Sequence, residues 1–231
     1  MRGDDESLPP RARALAEIAV TLTARPWELT PEAVAGAGRH GLDEQQIEAS
    51  ITVISMFNYF TRVADATGIE FDYKTPLPSF EPDLRQAAAS RPRPPSSPAS
   101  GACRGRQRPR HEPLLAAWES WRAYVLEAEK PITRGERRLL AIVAAQESGD
   151  WEGAGALGEL TSPADSDNPL IRFARKLSRR PWAMEASDLA ELRAAGYSED
   201  ALLHIVSVVA HQNADSRLDI GLSAAGQSPP R

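Results

Sequence analysis

The sequence predicts an all-α protein made of two related helical bundles. Apolar residues recur at helical spacing through both halves of the chain, and capping residues mark where the helices begin. A third observation concerns the whole chain: a stretch of the first half aligns without a gap with a similar stretch 155 positions later. An internal repeat of one helical unit is therefore predicted.

Composition excludes several classes of protein. Of the 231 residues, 42% are hydrophobic, and no apolar run approaches the roughly 20 residues that a membrane span needs. The first residues are acidic and lack the apolar stretch of a signal peptide. The single cysteine, Cys103, cannot form an internal disulfide. We therefore expect a cytoplasmic protein without membrane contact.

Arginine is concentrated in one segment. Seven arginines and no acidic residue lie between Arg85 and Arg110, and the rest of the chain is acidic, so nucleic-acid binding is not expected. Because residues 76–112 are rich in arginine and proline and poor in large apolar residues, we predict a disordered linker there. It is either a plain tether or an arm that docks an anionic partner or a proline-recognition domain. The other predicted parts are a disordered N-terminus (1–10), a first helical repeat (11–75), a second helical unit (113–222) and a disordered tail (223–231).

Three helices are predicted before the linker. The first covers about residues 11–24, and the second is opened by Pro31 in the favoured first position. The third covers about residues 44–67 and begins with a capping box formed by Asp43 and Gln46. It is apolar nearly all round, which predicts a central, buried helix.

The second half repeats this pattern after an additional set of helices. That set comprises a helix over about 114–128, a helix opened by a Thr133-x-x-Glu136 capping box, and a short element over about 151–160. The repeated helices are predicted at 170–179, 186–195 and 199–218.

Most matches between the two copies have a structural explanation. Arg25-Pro26-Trp27 matches Arg180-Pro181-Trp182, and Gly41 matches Gly196. The proline and glycine residues separate helices, and we expect Trp27 and Trp182 to be core aromatic residues.

Asn58 and Arg62, matched by Asn213 and Arg217, are the candidate binding residues. Each pair is four residues apart on an apolar helix, so the amide and the guanidinium project from one buried face. Such groups need defined partners when buried. Either they fix how helices cross, or the arginines hold a small anionic ligand, whose carboxylate a guanidinium matches. The acidic residues considered as structural partners are Glu17, Glu32 and Glu44 in the first copy, and Glu185 and Glu199 in the second.

The repeated motif resembles a known superfamily. Arg-Pro-Trp, a glycine at a helix end, a buried helix and then Asn-x-x-x-Arg-x-Ala-Asp-Ala-x-Gly-Ile (residues 58–69) resemble the alkylhydroperoxidase D and carboxymuconolactone decarboxylase superfamily, especially its peroxidase-related branch. By that comparison residues 114–222 resemble a whole family unit, and residues 11–72 resemble its trailing portion. The resemblance implies orthogonal, alkylhydroperoxidase D-like helical bundles and self-association.

The thiol chemistry of that superfamily is not expected in this chain. Its active branch uses Cys-x-x-Cys followed by a histidine, in which a thiolate attacks peroxide. The corresponding stretch, residues 146–153, contains neither cysteine nor histidine. The resemblance therefore implies a degenerate member that acts as a small-molecule binding or assembly module.

Two alternatives stay open. An acid–base enzyme, decarboxylase-like or isomerase-like, would act on a small carboxylate with His211 as general acid or base beside Arg217 and Arg62. The structural alternative makes His211 a hydrogen-bonded core residue. An interaction protein whose basic linker binds an acidic partner is a third class. No spacing of ligands indicates a metal, and no glycine-rich loop indicates a cofactor.

Overall fold

The computed structural model describes residues 8–69, 105–159, 161 and 167–226. All regular secondary structure in these residues is helical, as predicted. Cys103, most of the predicted linker and the chain ends (1–7 and 227–231) lie outside the described residues. The α-helices are α1 (Pro10–Ala24), α2 (Pro31–Arg39), α3 (Glu44–Thr67), α4 (Glu112–Glu127), α5 (Arg134–Glu147), α6 (Trp151–Leu157), α7 (Pro169–Arg179), α8 (Ala186–Ala194) and α9 (Glu199–Gly226).

Capping residues explain where the long helices begin. At the start of α3, the Asp43 carboxylate accepts a hydrogen bond from Gln46 N at 2.8 Å, and the Gln46 side chain accepts one from Asp43 N at 3.2 Å. Thr133 and Glu136 form the same reciprocal pair at the start of α5. Both predicted capping boxes are confirmed.

Corresponding helices of the two halves have matching bounds, except that α7 begins at Pro169, four residues later than the offset from Pro10 would place it. α1, a 3₁₀ turn (Pro26–Glu28), α2 and the start of α3 are followed 155 positions later by α7, a 3₁₀ turn (Pro181–Ala183), α8 and the start of α9. The residue before each 3₁₀ turn has nearly the same backbone angles, with φ −145° and ψ 62° at Arg25 and φ −142° and ψ 61° at Arg180. From the end of α1 to the start of α3, the bounds of these elements differ from those of their counterparts by 155 positions.

Helix α9 runs through the whole core. Its N-terminal half packs with α4, α5 and α7, and its C-terminal half packs with α1, α2 and α3. α3 lies along α9 more extensively than any other pair of helices. At their crossing, a Cβ atom on Gly221 would lie 2.5 Å from Cγ2 of Ile51, so the glycine permits the close approach. The two halves thus pack side by side within the chain, chiefly through α3 and α9.

Several finer predictions are wrong. α3 is not fully buried, because the central position belongs to α9, and Val53, Phe57 and Phe60 of α3 are each more than half exposed. Trp182 is also exposed, since its 3₁₀ turn lies at the surface. The predicted tail is helical as far as Gly226, because Leu222 and Ala224 pack in the core. Among the described residues, every helix is too short or too polar to span a lipid bilayer.

Candidate functional site

The two Asn–Arg pairs lie in the core where α3 packs against α9. Arg62 and Arg217 are each 3% exposed. Nη1 of Arg62 donates to the backbone oxygen of Asn58 at 3.0 Å and to its Oδ1 at 2.8 Å. Nη1 of Arg217 makes the same two contacts with Asn213, both at 3.0 Å. Each arginine is therefore fixed by the asparagine one helical turn before it.

The other terminal nitrogen of each arginine crosses to the opposite half of the chain. Nη2 of Arg62 donates to the backbone oxygen of Ser178 in α7 at 3.3 Å, and Nη2 of Arg217 donates to that of Thr23 in α1 at 3.0 Å. Both carbonyls belong to the last turn of a helix, where no intrahelical donor remains. A cation there also interacts favourably with the helix dipole. Arg62 therefore caps the C-terminus of α7 in the second half, and Arg217 caps the C-terminus of α1 in the first half.

The asparagine amides complete the same arrangement within each half. Nδ2 of Asn58 donates to Oγ1 of Thr23 at 3.0 Å, and Nδ2 of Asn213 donates to Oγ of Ser178 at 2.8 Å. Thr23 and Ser178 therefore each have two roles. The side-chain hydroxyl accepts a hydrogen bond from the asparagine of the same half, and the backbone carbonyl accepts one from the arginine of the opposite half. We call Asn58, Arg62, Asn213 and Arg217, with Thr23 and Ser178, the exchange cluster.

Burial dominates the electrostatics of the exchange cluster. It lowers the pKa of Arg62 to about 10, against the opposing effect of Asp65. Burial also lowers the pKa of Arg217 well below its ordinary value, and the charge of Arg62 acts in the same direction. Within the described residues no carboxylate lies at ion-pair distance from either guanidinium.

The predicted glutamate partners of these arginines are therefore wrong. Helix carbonyls and asparagine oxygens take that role, because the ends of α1 and α7 deliver them directly to the α3–α9 contact. Two of the five glutamates pair elsewhere: Glu44 with Arg110, and Glu199 with Arg193.

His211 is sealed inside the protein. It lies on α9 against Trp118 and Trp121 of α4, with ring centroids 6.2 and 4.5 Å away, respectively. The side chain is 0% exposed, and neither ring nitrogen has a hydrogen-bond partner among the described residues. Burial lowers the pKa of His211 to about 4, reinforced by nearby arginines and opposed by Asp215. The imidazole is therefore neutral at neutral pH, and it is not the hydrogen-bonded core residue of the structural alternative.

Asp215, one turn after His211, is the centre of a group of charged residues that was not predicted. We call Asp215, Arg106, Arg108 and Asp150 the charged cluster. Its carboxylate is fully buried. Oδ2 lies 3.0 Å from Nη2 of Arg106, Oδ1 lies 3.2 Å from Nη1 of Arg108, and Oδ1 accepts a hydrogen bond of 2.8 Å from Nε1 of Trp118. Burial alone would raise the pKa of Asp215, but the arginine charges outweigh it and lower that pKa.

Asp150 extends the charged cluster to the start of α6. Its carboxylate accepts hydrogen bonds from Ser216 Oγ and Gly153 N, both at 2.7 Å, and lies 3.2 Å from Nη2 of Arg106. A Cβ atom on Gly153 would collide with both the Arg106 guanidinium and the Asp150 carboxylate. The glycine therefore leaves room for this ion pair.

The charged cluster changes the interpretation of the predicted linker. Arg106 and Arg108 fall within residues 76–112, which were predicted to be disordered, yet both pair with the buried Asp215. The segment was interpreted as a tether because it has few apolar residues; its C-terminal end is held by charge instead. The useful sequence feature is the aspartate itself, since a carboxylate on a buried helix requires a cation.

One surface cleft adjoins the charged cluster. It has a volume of about 340 Å³, and its polar lining includes Asp150, Glu152, Asp219 and Trp151. This acidic lining is a poor match for a small anion. In the described part of the chain, no group of His, Cys, Asp and Glu residues has an arrangement that could hold a metal ion.

The structure does not bring the predicted site residues together around this cleft. His211, Arg62 and Arg217 are absent from its lining. The arginines belong to the exchange cluster, and His211 lies between α9 and α4. This cleft is therefore not the common cavity for the arginines and the histidine that the acid–base hypothesis requires.

Comparison with protein-family models, with curated proteins and with solved structures gave no match.

Proposed function

We propose that this chain is a small-molecule binding or assembly module without thiol peroxidase chemistry, on a degenerate and internally repeated scaffold of the alkylhydroperoxidase D kind. The observation that supports it most directly is the use of Arg62 and Arg217. Their terminal nitrogens are engaged by Asn58, Asn213, Ser178 and Thr23, so the polar groups of the repeated motif hold helices together. A ligand is not needed to explain their burial.

The stretch that would carry the redox motif supports the absence of thiol chemistry. Ser148 donates to the backbone oxygen of Ala144 at 2.9 Å, and its Oγ lies 3.2 Å from Oδ1 of Asn213. Asp150, two residues later, is engaged in the charged cluster. Side chains in this stretch therefore support the core, where a thiol peroxidase would present a nucleophile.

A small-molecule site would use the cleft beside the charged cluster. Asp150, Glu152 and Asp219 make that cleft acidic, and Trp151 adds an aromatic ring. A neutral or cationic ligand fits this lining better than the small anion expected from the sequence.

Peroxide reduction tests the proposal. Purified wild type and a Cys103→Ser variant are incubated with hydrogen peroxide and dithiothreitol, and peroxide loss is followed against a protein-free control. Both proteins should match the control, because the stretch that would carry the peroxidase thiols, residues 146–153, contains no cysteine. Turnover by the wild type that disappears in the variant would overturn the loss of thiol chemistry.

The acid–base alternative has one observation in its favour. The neutral His211 has two unbonded ring nitrogens and lies one turn from Asp215, as a proton acceptor would. Catalysis would require access, which Trp118 and Trp121 deny in this structure.

Diethyl pyrocarbonate labelling distinguishes the two functions. Mass spectrometry of the native protein should find the exposed His40 and His111 modified and His211 unmodified until urea is added. Labelling of His211 at the rate of the exposed histidines would show an open site and favour the enzyme.

A further inference from the structure

One side of α3 is apolar and exposed. It carries Val53, Phe57 and Phe60, whose side chains are 54%, 62% and 54% exposed. These positions lie on one helical face, together with smaller or less exposed neighbours. We call this surface the α3 outer face; it consists of Ala49, Val53, Met56, Phe57, Phe60, Thr61 and Ala64.

The equivalent side of α9 is fully covered. The positions 155 residues after Val53, Met56, Phe57, Phe60 and Thr61 are buried, and they are occupied by Val208, His211, Gln212, Asp215 and Ser216. Their cover comes from α4 through its tryptophans, from Asp150 before α6, and from the arginines of 105–108. Within the described residues, no such layer lies on the α3 outer face.

The chemistry of the two faces differs in the same way as their burial. The α9 face contains an aspartate, which requires the arginines that cover it. The α3 outer face has no charged residue between Glu48 and Arg62. A charged partner such as a nucleic acid or a basic peptide would find no counter-charge there.

The aromatic side chains of the α3 outer face are braced from behind. The rings of Phe57 and Phe60 meet edge to face with centroids 6.4 Å apart, and Phe60 packs against Tyr59 at 5.5 Å. Tyr59 in turn packs against Trp121 of α4 at 4.8 Å. Rings held in this way lose little conformational freedom on binding, which is typical of interface anchors.

We propose that a second copy of this chain covers the α3 outer face, with the two α3 helices antiparallel about a two-fold axis near Phe57. This deepens the assembly part of the proposed function and rests on it. A two-fold interface must match itself, and an uncharged apolar face does so without opposing like charges. Phe57 lies at the middle of the face, so the axis brings the two Phe57 rings together.

The size of the face sets the expected strength of the dimer. Ala49 to Ala64 of α3 extend over roughly 22 Å at about 1.5 Å per residue. A single helix face of this length lies at the lower end of specific interfaces, below about 1,200 Å² in total. We therefore expect a concentration-dependent dimer with a dissociation constant on the order of micromolar.

Sedimentation velocity of the full chain tests this proposal. Protein concentrations from about 1 to about 200 µM cover values below and above the expected dissociation constant. The wild type should shift from monomer to dimer, and Phe57→Asp should stay monomeric. The matched control is Leu203→Asp on α9, because Leu203 is 58% exposed and lies outside the α3 outer face. It should dimerise like the wild type. A wild type that is monomeric throughout, or a Phe57→Asp variant that dimerises like the wild type, would overturn the proposal.

Cysteine crosslinking tests the antiparallel geometry. Phe57→Cys in a Cys103→Ser background should form a disulfide-linked dimer under mild oxidation, whereas Leu203→Cys in the same background should not. If another part of the chain or another protein covers the face, the Phe57→Cys variant stays monomeric and the proposal is wrong. Thiol-dependent peroxide turnover would contradict the proposed function but would not contradict a measured dimer. The failure of one proposal can therefore be distinguished from the failure of the other.

Discussion

Arg217 in α9 donates a hydrogen bond of 3.0 Å to the backbone oxygen of Thr23, which lies 194 residues earlier at the end of α1. Arg62 does the same for Ser178 in the opposite direction. The exchange explains how two guanidiniums are tolerated in an apolar core: each meets a helix terminus that needs a donor. A polar pair of this kind fixes the angle and register at which α3 and α9 pack.

Replacing either arginine should destabilise the fold. Arg217→Met leaves the backbone oxygen of Thr23 and Oδ1 of the buried Asn213 without this donor, at a cost of about 3 kcal/mol in the free energy of unfolding. Arg62→Met should cost a similar amount, and the exposed Arg39→Met should cost little. Urea denaturation measures all three. If acetate or phosphate stabilises the wild type but not Arg217→Met, the arginine binds an anion and its purely structural role is contradicted.

The stability of the protein should depend on pH through His211. The unfolded chain takes up this proton near the ordinary pKa of 6.5, and the folded protein only near 4. Between these pH values the unfolded state binds more protons, so the free energy of unfolding falls as the pH falls, by about 3 kcal/mol in total.

His211→Met, which introduces the residue found at position 56 of the first copy, should remove this part of the pH dependence. Comparing the variant with the wild type at each pH cancels the contribution of the other titrating groups. Equal slopes between pH 4 and pH 6.5, the pKa values of His211 in the folded and unfolded states, would contradict the prediction.

The ion pair between Arg108 and Asp215 should be strongly coupled. A double-mutant cycle with Arg108→Met and Asp215→Asn should give an interaction free energy of about 1–3 kcal/mol, because the aspartate is buried. Arg110 and Glu44 form the control pair; they are 3.1 Å apart but 75% and 88% exposed. The control cycle should give no measurable coupling. Equal coupling in the two cycles would show that residues 105–108 do not anchor the segment.

Gly221 should tolerate no side chain. Gly221→Ala places a methyl group against Ile51, and we expect a loss of about 1–3 kcal/mol in the free energy of unfolding. Adding Ile51→Ala should cost less than the sum of the two single changes, because it creates the missing space. Gly155→Ala on α6 is the matched control, since nothing lies within 4 Å of its added Cβ. A neutral Gly221→Ala would show that the helices are not in close contact there.

The sequence predicts the helices better than their surroundings. Capping residues act locally, so Asp43 with Gln46 and Thr133 with Glu136 place the starts of α3 and α5 correctly. Burial depends on distant residues. The apolar composition of α3 resembles that of a central helix, yet Phe57 is exposed because nothing in the described residues packs over it.

Only part of the candidate site could be predicted, again because burial and partners depend on residues that are distant in the sequence. The spacing of Asn58 and Arg62 correctly indicates a buried polar pair with defined partners. Those partners are backbone oxygens, which every residue has, so no side-chain pattern identifies them. Arg106 was interpreted as part of a tether because its partner, Asp215, lies 109 residues away in the chain.

The exchange cluster makes the two halves of the chain depend on each other for folding. Neither Arg62 nor Arg217 is fully satisfied by the half that carries it. If the backbone is cut between positions 69 and 105, each fragment alone lacks the helix-end carbonyl that its arginine binds in the intact chain. The fragment would then either bury a guanidinium that lacks this hydrogen bond or expose the apolar residues of the helix that carries it. The two fragments should therefore stay unfolded separately and regain helical structure when mixed.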